Sequence, residues 1–358
     1  MTLTPTQIAT ALTEPESAAM LADLVYVQDH HLNIYRKKQG RGYSYLIENN
    51  DRIKDKNILK RLKSLVIPPA WQKVRISSLE NGHLQVVGRD SKNRKVYLYH
   101  DLWNILRNQT KFFKMSAFAK ALPSIRKQLE KDLTLGGMPR RKCLALVVSI
   151  MDETYIRVGS SQYARRNKTY GLSTLRMRHV DHNDSNVVFK FTGKKSVQQS
   201  KVIDDPQLTK LIKQCEEIPG RELFQYYDRD GSHHSIDSGM INNYIQEISK
   251  TIFTAKDFRT WGASREFFEF VIDLPFEKAA SQLDSNILQG YDAAAEALGN
   301  TRSVCRQYYV HPQLPKAYLE GELEQYKSFL DARNDKPYFS ASEQCVLKII
   351  EQYEIELN

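Results

Sequence analysis

Arginines, lysines and tyrosines recur together at four places in this sequence, and each place offers a definable chemistry. In Gly88-Arg89-Asp90-Ser91-Lys92-Asn93-Arg94-Lys95-Val96-Tyr97-Leu98-Tyr99-His100, four basic side chains sit in a turn ahead of an alternating run. Strand side chains alternate with period two, so Tyr97 and Tyr99 share a face. Basic groups suit phosphates and flat phenols suit sugar and base edges, which makes Arg89, Lys92, Lys95, Tyr97 and Tyr99 a candidate nucleic-acid surface. A tyrosine-lined sheet face packed on other protein fits the same pattern. In Asp152-Glu153-Thr154-Tyr155-Ile156-Arg157-Val158-Gly159, an arginine follows a mostly apolar run. A charged head in that setting is costly unless it meets an anion, so Arg157 either closes an internal salt bridge or serves a site. In Lys256-Asp257-Phe258-Arg259-Thr260-Trp261, Lys256 and Arg259 are three apart and share a helical face, where like charges repel unless an anion lies between them. A guanidinium fork matches two phosphate oxygens at once. A solvated basic face is the commoner meaning of so short a motif. The fourth place is Ala297-Leu298-Gly299-Asn300-Thr301-Arg302-Ser303-Val304-Cys305-Arg306-Gln307-Tyr308-Tyr309-Val310-His311-Pro312. Here Gly299 stops a helix, Asn300 or Thr301 can cap the next, and Pro312 limits it.

The elements that must position these groups fall into two regimes. Residues 24–100 hold short alternating runs, such as Tyr43 to Ile47, His83 to Val87 and Lys95 to Tyr99, punctuated by Gly40, Gly42 and Asn81-Gly82. From Lys111 the period becomes helical, with Phe112, Phe113, Met115, Phe118, Ala119, Leu122, Ile125 and Leu129 on one face. Cys143 to Gly159 is apolar on most sides and predicts a buried helix. One hairpin interrupts the helical part, from Asn186 to Lys195 with Ser196 to Ile203 returning. The fold class is α+β. Residues 1–105 form a β-rich N-terminal domain and 106–358 a mainly α-helical domain with an acidic tail.

Composition narrows the function classes. The 358 residues carry 52 Lys plus Arg against 42 Asp plus Glu, a net charge of +10. Residues 1–100, 101–312 and 313–358 hold +7, +7 and −4 of it. A basic body ahead of an acidic tail raises the expectation of a polyanionic partner, because each cation on a phosphate releases a counterion. A surface that merely keeps the protein soluble gives the same sum. No apolar run approaches the roughly 18 residues that span a bilayer. The first twenty residues lack the basic and apolar regions of a secretory signal, so the expected location is the cytoplasm. Cys143, Cys215, Cys305 and Cys345 include no C-x-x-C pair and read as reduced, buried thiols. His179 and His182 lack a supporting ligand cluster and are expected to flank a solvated turn into Asn183-Asp184-Ser185-Asn186. Neither a Walker loop nor an acidic metal cluster is present, so no cofactor and no metal are expected.

The Ala297 to Pro312 segment resembles the tyrosine-nucleophile motif of the type IB DNA topoisomerases, in their short bacterial and poxvirus-like form. The other three segments fall on that family's motifs in order, and the resemblance runs from about residue 24 to about residue 318. It implies a β-rich N-terminal domain and a helical catalytic domain that clamp double-stranded DNA, acting as a monomer. It also implies Tyr309 as nucleophile, with Tyr308 a neighbour. Arg157 and Arg259 become the arginines on the scissile phosphate. Lys194, after Gly193 at the hairpin tip, becomes the lysine that protonates the leaving 5′ oxygen, with Lys195 its rival. Asn300 stands where much of the wider superfamily has histidine, and supplies a hydrogen-bond donor instead of a proton. Tyr97, Tyr99 and Tyr163 match DNA-contacting tyrosines, and Lys256 an additional lysine of the site.

The implied reaction is relaxation of supercoiled duplex DNA through a 3′-phosphotyrosyl intermediate. Because that link keeps a phosphodiester, rejoining needs no ATP. Tyrosine recombinases use much the same constellation, but they usually carry histidine where Lys256 stands and a helical N-terminal domain. A DNA-binding protein with a decayed site is the other alternative, and all five catalytic positions hold usable chemistry.

Overall fold

The computed structural model describes residues 4–183, 186–276 and 279–355. The chain forms two compact units, one of residues up to Phe113 joined by Glu354 and Ile355, the other from Lys114 to Tyr353. In the first unit, helices α1 (Pro5–Thr13) and α2 (Pro15–Leu21) precede the strands. Strands β1 (Ile34–Gln39), β2 (Gly42–Leu46), β3 (Gln72–Ile76), β4 (Leu84–Arg89) and β5 (Lys95–Tyr99) pair antiparallel in the order β2-β1-β3-β4-β5. Helix α3 (Lys56–Ser64) contributes Leu62 to a core with Ile34, Tyr45, Ile67, Val74, Ile76 and Val86. The alternating runs thus become the sheet, as their period requires.

Helix α4 (Asp101–Leu133) contains the boundary between the units. Its apolar series Met115, Phe118, Ala119, Leu122, Ile125 and Leu129 is buried in the core of the second unit. Helix α5 (Arg140–Thr154) is buried along Cys143 to Val148, as its all-round apolar surface requires. It ends five residues before the expected Gly159. Tyr155 takes a left-handed conformation, φ 57°, and the next residues leave the helix for backbone bonds elsewhere. Leu172 N donates to Arg157 O at 2.9 Å and Ser173 N to Val158 O at 2.7 Å. Arg157 therefore sits on an extended strap.

After α6 (Ser161–Asn167) comes a three-stranded sheet of β6 (Val180–His182), β7 (Val187–Thr192) and β8 (Gln198–Ile203), in that order. The expected hairpin is β7 and β8. Strand β6 ends at the exposed His182, which does flank the turn that Asn183 N closes onto Asn186 O at 3.0 Å, so the solvated-turn reading is corrected at His179 alone. His179 is buried with its ring 4.4 Å from that of Tyr170, and its Nδ1 accepts from Arg176 N at 3.1 Å. His182 Nε2 pairs with Glu216 at 2.9 Å. Asp184 and Ser185 of that reading lie outside the described residues.

Helix α7 (Pro206–Glu216), the short pair β9 (Gln225–Tyr227) and β10 (His233–Ser235), and α8 (Ser238–Ser249) lead to the helices that carry the site. These are α9 (Ala255–Ile272), α10 (Ala280–Leu298) and α11 (Arg302–Tyr308). The acidic tail folds as α12 (Gln313–Leu319), α13 (Lys327–Asp331) and α14 (Ala341–Ile350). It packs into the main core through Leu314, Tyr318, Cys345, Val346 and Ile349. The buried Glu343 carboxylate accepts from Arg126 at 2.8 and 2.9 Å and from Trp261 Nε1 at 3.0 Å. Such a buried carboxylate is tolerable only when fully hydrogen-bonded. All four cysteines are free and buried. Among the described residues no helix is long and apolar enough to cross a membrane.

Candidate active site

Three chain turns meet in the second unit. Helix α9 starts where Thr254 and Asp257 form a capping box, with Thr254 N donating to Asp257 at 2.7 Å, and this fixes Lys256 and Arg259 in its first turns. Lys256 is exposed, whereas Arg259 is only 4% exposed. The Arg259 guanidinium is held by two main-chain oxygens: Nη1 donates to Tyr155 O, and Nη2 donates to Leu298 O at 3.1 Å. Its Nε is buried without a partner. Gly262, one turn on, leaves room for the Tyr155 ring, which a methyl group there would overlap. The Tyr155 hydroxyl donates to Glu266 at 3.0 Å, anchoring the left-handed residue from its far end.

Helix α10 stops at Gly299, φ 59°, a conformation that costs glycine nothing. Asn300 follows, and its Oδ1 accepts from Arg157 Nη2. Its Nδ2 is buried without a hydrogen-bond partner. Helix α11 then delivers Tyr309 as its C-terminal cap, half-buried, with Ser264 Oγ at 3.4 Å from its carbonyl and 3.0 Å from His311 N. The Tyr309 ring lies with its centroid 5.4 Å from the Arg259 guanidinium carbon. Burial pushes the phenol up. The charge of Arg259 and its hydrogen bond, then Arg157 and Lys256, outweigh burial and bring Tyr309 below the ordinary phenol value. Arg259 is lowered from the ordinary arginine value, first by burial and next by Arg157, with Tyr309 acting in the opposite sense.

Arg157, Arg259, Asn300 and Tyr309 are therefore brought together, with Lys256 contributing charge at the rim. Chemically, this is a phenol inclined to ionise beside buried donors that lack an acceptor, and such donors call for an anion. Lys194 and Lys195 lie exposed in the β7–β8 turn, which Gly193 N closes onto Val197 O at 2.7 Å. Lys195 takes a left-handed conformation, φ 61°, directly after Lys194. Tyr163 is exposed on α6, beside Arg165 and Arg166.

In the first unit, Tyr97 and Tyr99 do share a face, stacked with centroids 5.9 Å apart. Asp90 accepts from Lys92 N at 3.0 Å and Arg94 N at 2.9 Å, building the turn ahead of them. Arg89 donates to Asn93 O at 2.9 Å, and Lys95 pairs with Asp29, while Lys92 is exposed. The cations of this segment thus differ: some shape the turn, and Lys92 projects from it.

Tyr155, Gln199 and Lys201 are structural neighbours of the site to which the motif reading gave no role. Only Lys201 left a trace in the sequence, a lysine at the inward position of the alternating run Gln198 to Ile203.

Two family models match the chain. One described as eukaryotic DNA topoisomerase I, catalytic core, matches residues 101–333, and one described as bacterial DNA topoisomerase IB, N-terminal domain, matches 42–90. A DNA topoisomerase 1B of Acanthamoeba polyphaga mimivirus is 30% identical over 85% of this chain and 91% of its own length. That of vaccinia virus, strain Copenhagen, is 25% identical over 68% of this chain and 74% of its own. A DNA topoisomerase 1 of Daucus carota is 27% identical over 37% of this chain and 16% of its own.

Proposed function

The chain belongs to the type IB DNA topoisomerase family, and from that premise we propose that Tyr309 is the nucleophile of its strand-breaking reaction. The protein is an enzyme that relaxes supercoiled DNA by cutting and resealing one strand. The carrying observation is the donor set beside Tyr309: Arg259 Nε and Asn300 Nδ2 are buried without acceptors. A phosphodiester supplies the missing oxygens. Arg157 and Arg259 hold the non-bridging oxygens, where charge grows in the transition state. One preorganised donor of that kind is worth about 3 to 4 kcal/mol. The Tyr309 phenolate forms the P–O bond while the bond to the 5′ oxygen breaks, and Lys194 gives that oxygen its proton. Resealing reverses each transfer. Asn300 donates to a non-bridging oxygen. Lys92, Tyr97, Tyr99, Tyr163 and Lys256 contact the duplex, with residues 1–105 serving binding and the remainder catalysis.

The test is incubation with supercoiled plasmid in EDTA without ATP, followed by detergent trapping. The parent protein should relax the plasmid and leave a protein-linked 3′ end. Tyr309→Phe should bind DNA and form no adduct, whereas Tyr308→Phe should retain substantial cleavage. Loss of the adduct in Tyr308→Phe alone would move the nucleophile.

A further inference from the structure

The last four carbonyls of α10 would be orphans if the chain simply turned away. Two are closed locally, Ala295 O by Asn300 N at 2.8 Å and Glu296 O by Gly299 N at 3.1 Å. The other two are closed by cations from other elements: Leu298 O by Arg259, and Ala297 O by the ammonium of Lys201 on β8. A helix C-terminus carries partial negative charge, so cations are favoured there. Lys201 is half-buried, and its ammonium is lowered from the usual lysine value by burial first and then by Arg259, which marks it as part of the same charged neighbourhood.

Gln199 stands two residues away on the same inward face of β8. Its side chain is packed between two glycines. A methyl group on Gly193 would lie 3.0 Å from Gln199 Cγ, and one on Gly299 would overlap the Gln199 amide. Gly193 precedes Lys194, and Gly299 precedes Asn300. One side chain therefore touches the residue ahead of the proposed proton donor and the residue ahead of the proposed phosphate ligand.

We propose that Gln199 and Lys201 are positioning residues that latch the β7–β8 hairpin to the end of α10 and so set Lys194 against the leaving 5′ oxygen. Two anchors along one strand fix its direction as well as its place. At about 3.3 Å per residue the turn begins roughly 10 Å beyond the Lys201 anchor, so a small rotation at the anchor becomes a larger displacement at the ammonium. Misplacement on the order of 1 Å costs about 100-fold in a preorganised site. The proposal rests on the assignment of Lys194 as the proton donor.

The test is single-turnover cleavage by the full chain of two duplexes, one ordinary and one with sulfur at the bridging 5′ position. A thiolate leaves without a proton, so a defect in proton delivery is relieved by sulfur and a general loss of fold or binding is not. Gln199→Ala and Lys201→Met should each cut the ordinary duplex about 10- to 100-fold more slowly. Both should recover most of that loss on the sulfur duplex, and Lys201→Arg should stay near the parent rate. Lys194→Ala, run beside them, should be slow on the ordinary duplex and relieved by sulfur. Relief in Lys194→Ala with equal losses on both duplexes in Gln199→Ala and Lys201→Met would overturn the latch and leave the proton donor standing. Parent-like rates in both latch variants would overturn it as well. Absence of relief in Lys194→Ala would remove the donor assignment, and the latch with it.

Discussion

A phenol taken out of water becomes a weaker acid, so the cations around Tyr309 must overcome its own burial before they activate it. Arg259 does most of this, and its position depends on the oxygens of Tyr155 and Leu298. Lysine keeps the charge but is a point donor without the planar fork, and it cannot span both oxygens and the phenol in one geometry. Arg259→Lys should therefore slow single-turnover cleavage by about 100- to 1,000-fold while DNA binding persists. The sign of the pH effect follows from the lowered Tyr309 value. In the parent, cleavage should climb with pH to a break below the ordinary phenol value of about 10, and in Arg259→Lys that break should move upward. A break unmoved by the substitution would show that Arg259 holds phosphate without tuning the nucleophile.

At the scale of elements, legibility followed periodicity. Strand β8 could be read from its alternation, β7 from its run of valines and phenylalanines, and α5 from its unbroken apolar surface, because each pattern reflects burial along its own length. The end of α5 could not. No residue between Thr154 and Gly159 forbids helix, and the break comes from backbone partners at Leu172 and Ser173, distant in sequence. The same holds for β6, three residues long and defined by its pairing with Val187 to Phe189. Tertiary context also decided His179, which stands between Arg178 and Val180 in sequence and whose ring is buried on Tyr170. Burial, then Arg178 and Arg176, lower it to about 4 from 6.5. A depressed histidine contributes stability that is complete above the unfolded value and is lost as pH falls from 6.5 towards 4. His179→Asn keeps an acceptor without a titrating ring. Its urea midpoint should fall less than the parent's between pH 7 and pH 4.5, and parallel curves would deny the histidine this part.

At the scale of the whole molecule, the residues of the candidate site could be named from the sequence because Arg157, Arg259, Asn300 and Tyr309 sit in three short motifs. What binds the duplex is less local, since a net charge of +10 says nothing about which cations face phosphate. Ion pairs separate them. Lys95 already has Asp29 as its anion, and its charge is partly neutralised before DNA arrives, whereas Lys92 projects from a turn that Asp90 holds through main-chain N–H groups. Each phosphate neutralised on duplex DNA adds about 0.9 to the slope of log affinity against log salt. Lys92→Gln should therefore weaken binding most at low salt and reduce that slope by about 0.9. Lys95→Gln should reduce it by less, because the uncovered Asp29 changes the balance in the free protein as well as in the complex. Filter binding of a short duplex between low and moderate salt reads both slopes. An unchanged slope in Lys92→Gln would take the β4–β5 turn off the phosphates and leave Tyr97 and Tyr99 as that strand's only claim on the duplex.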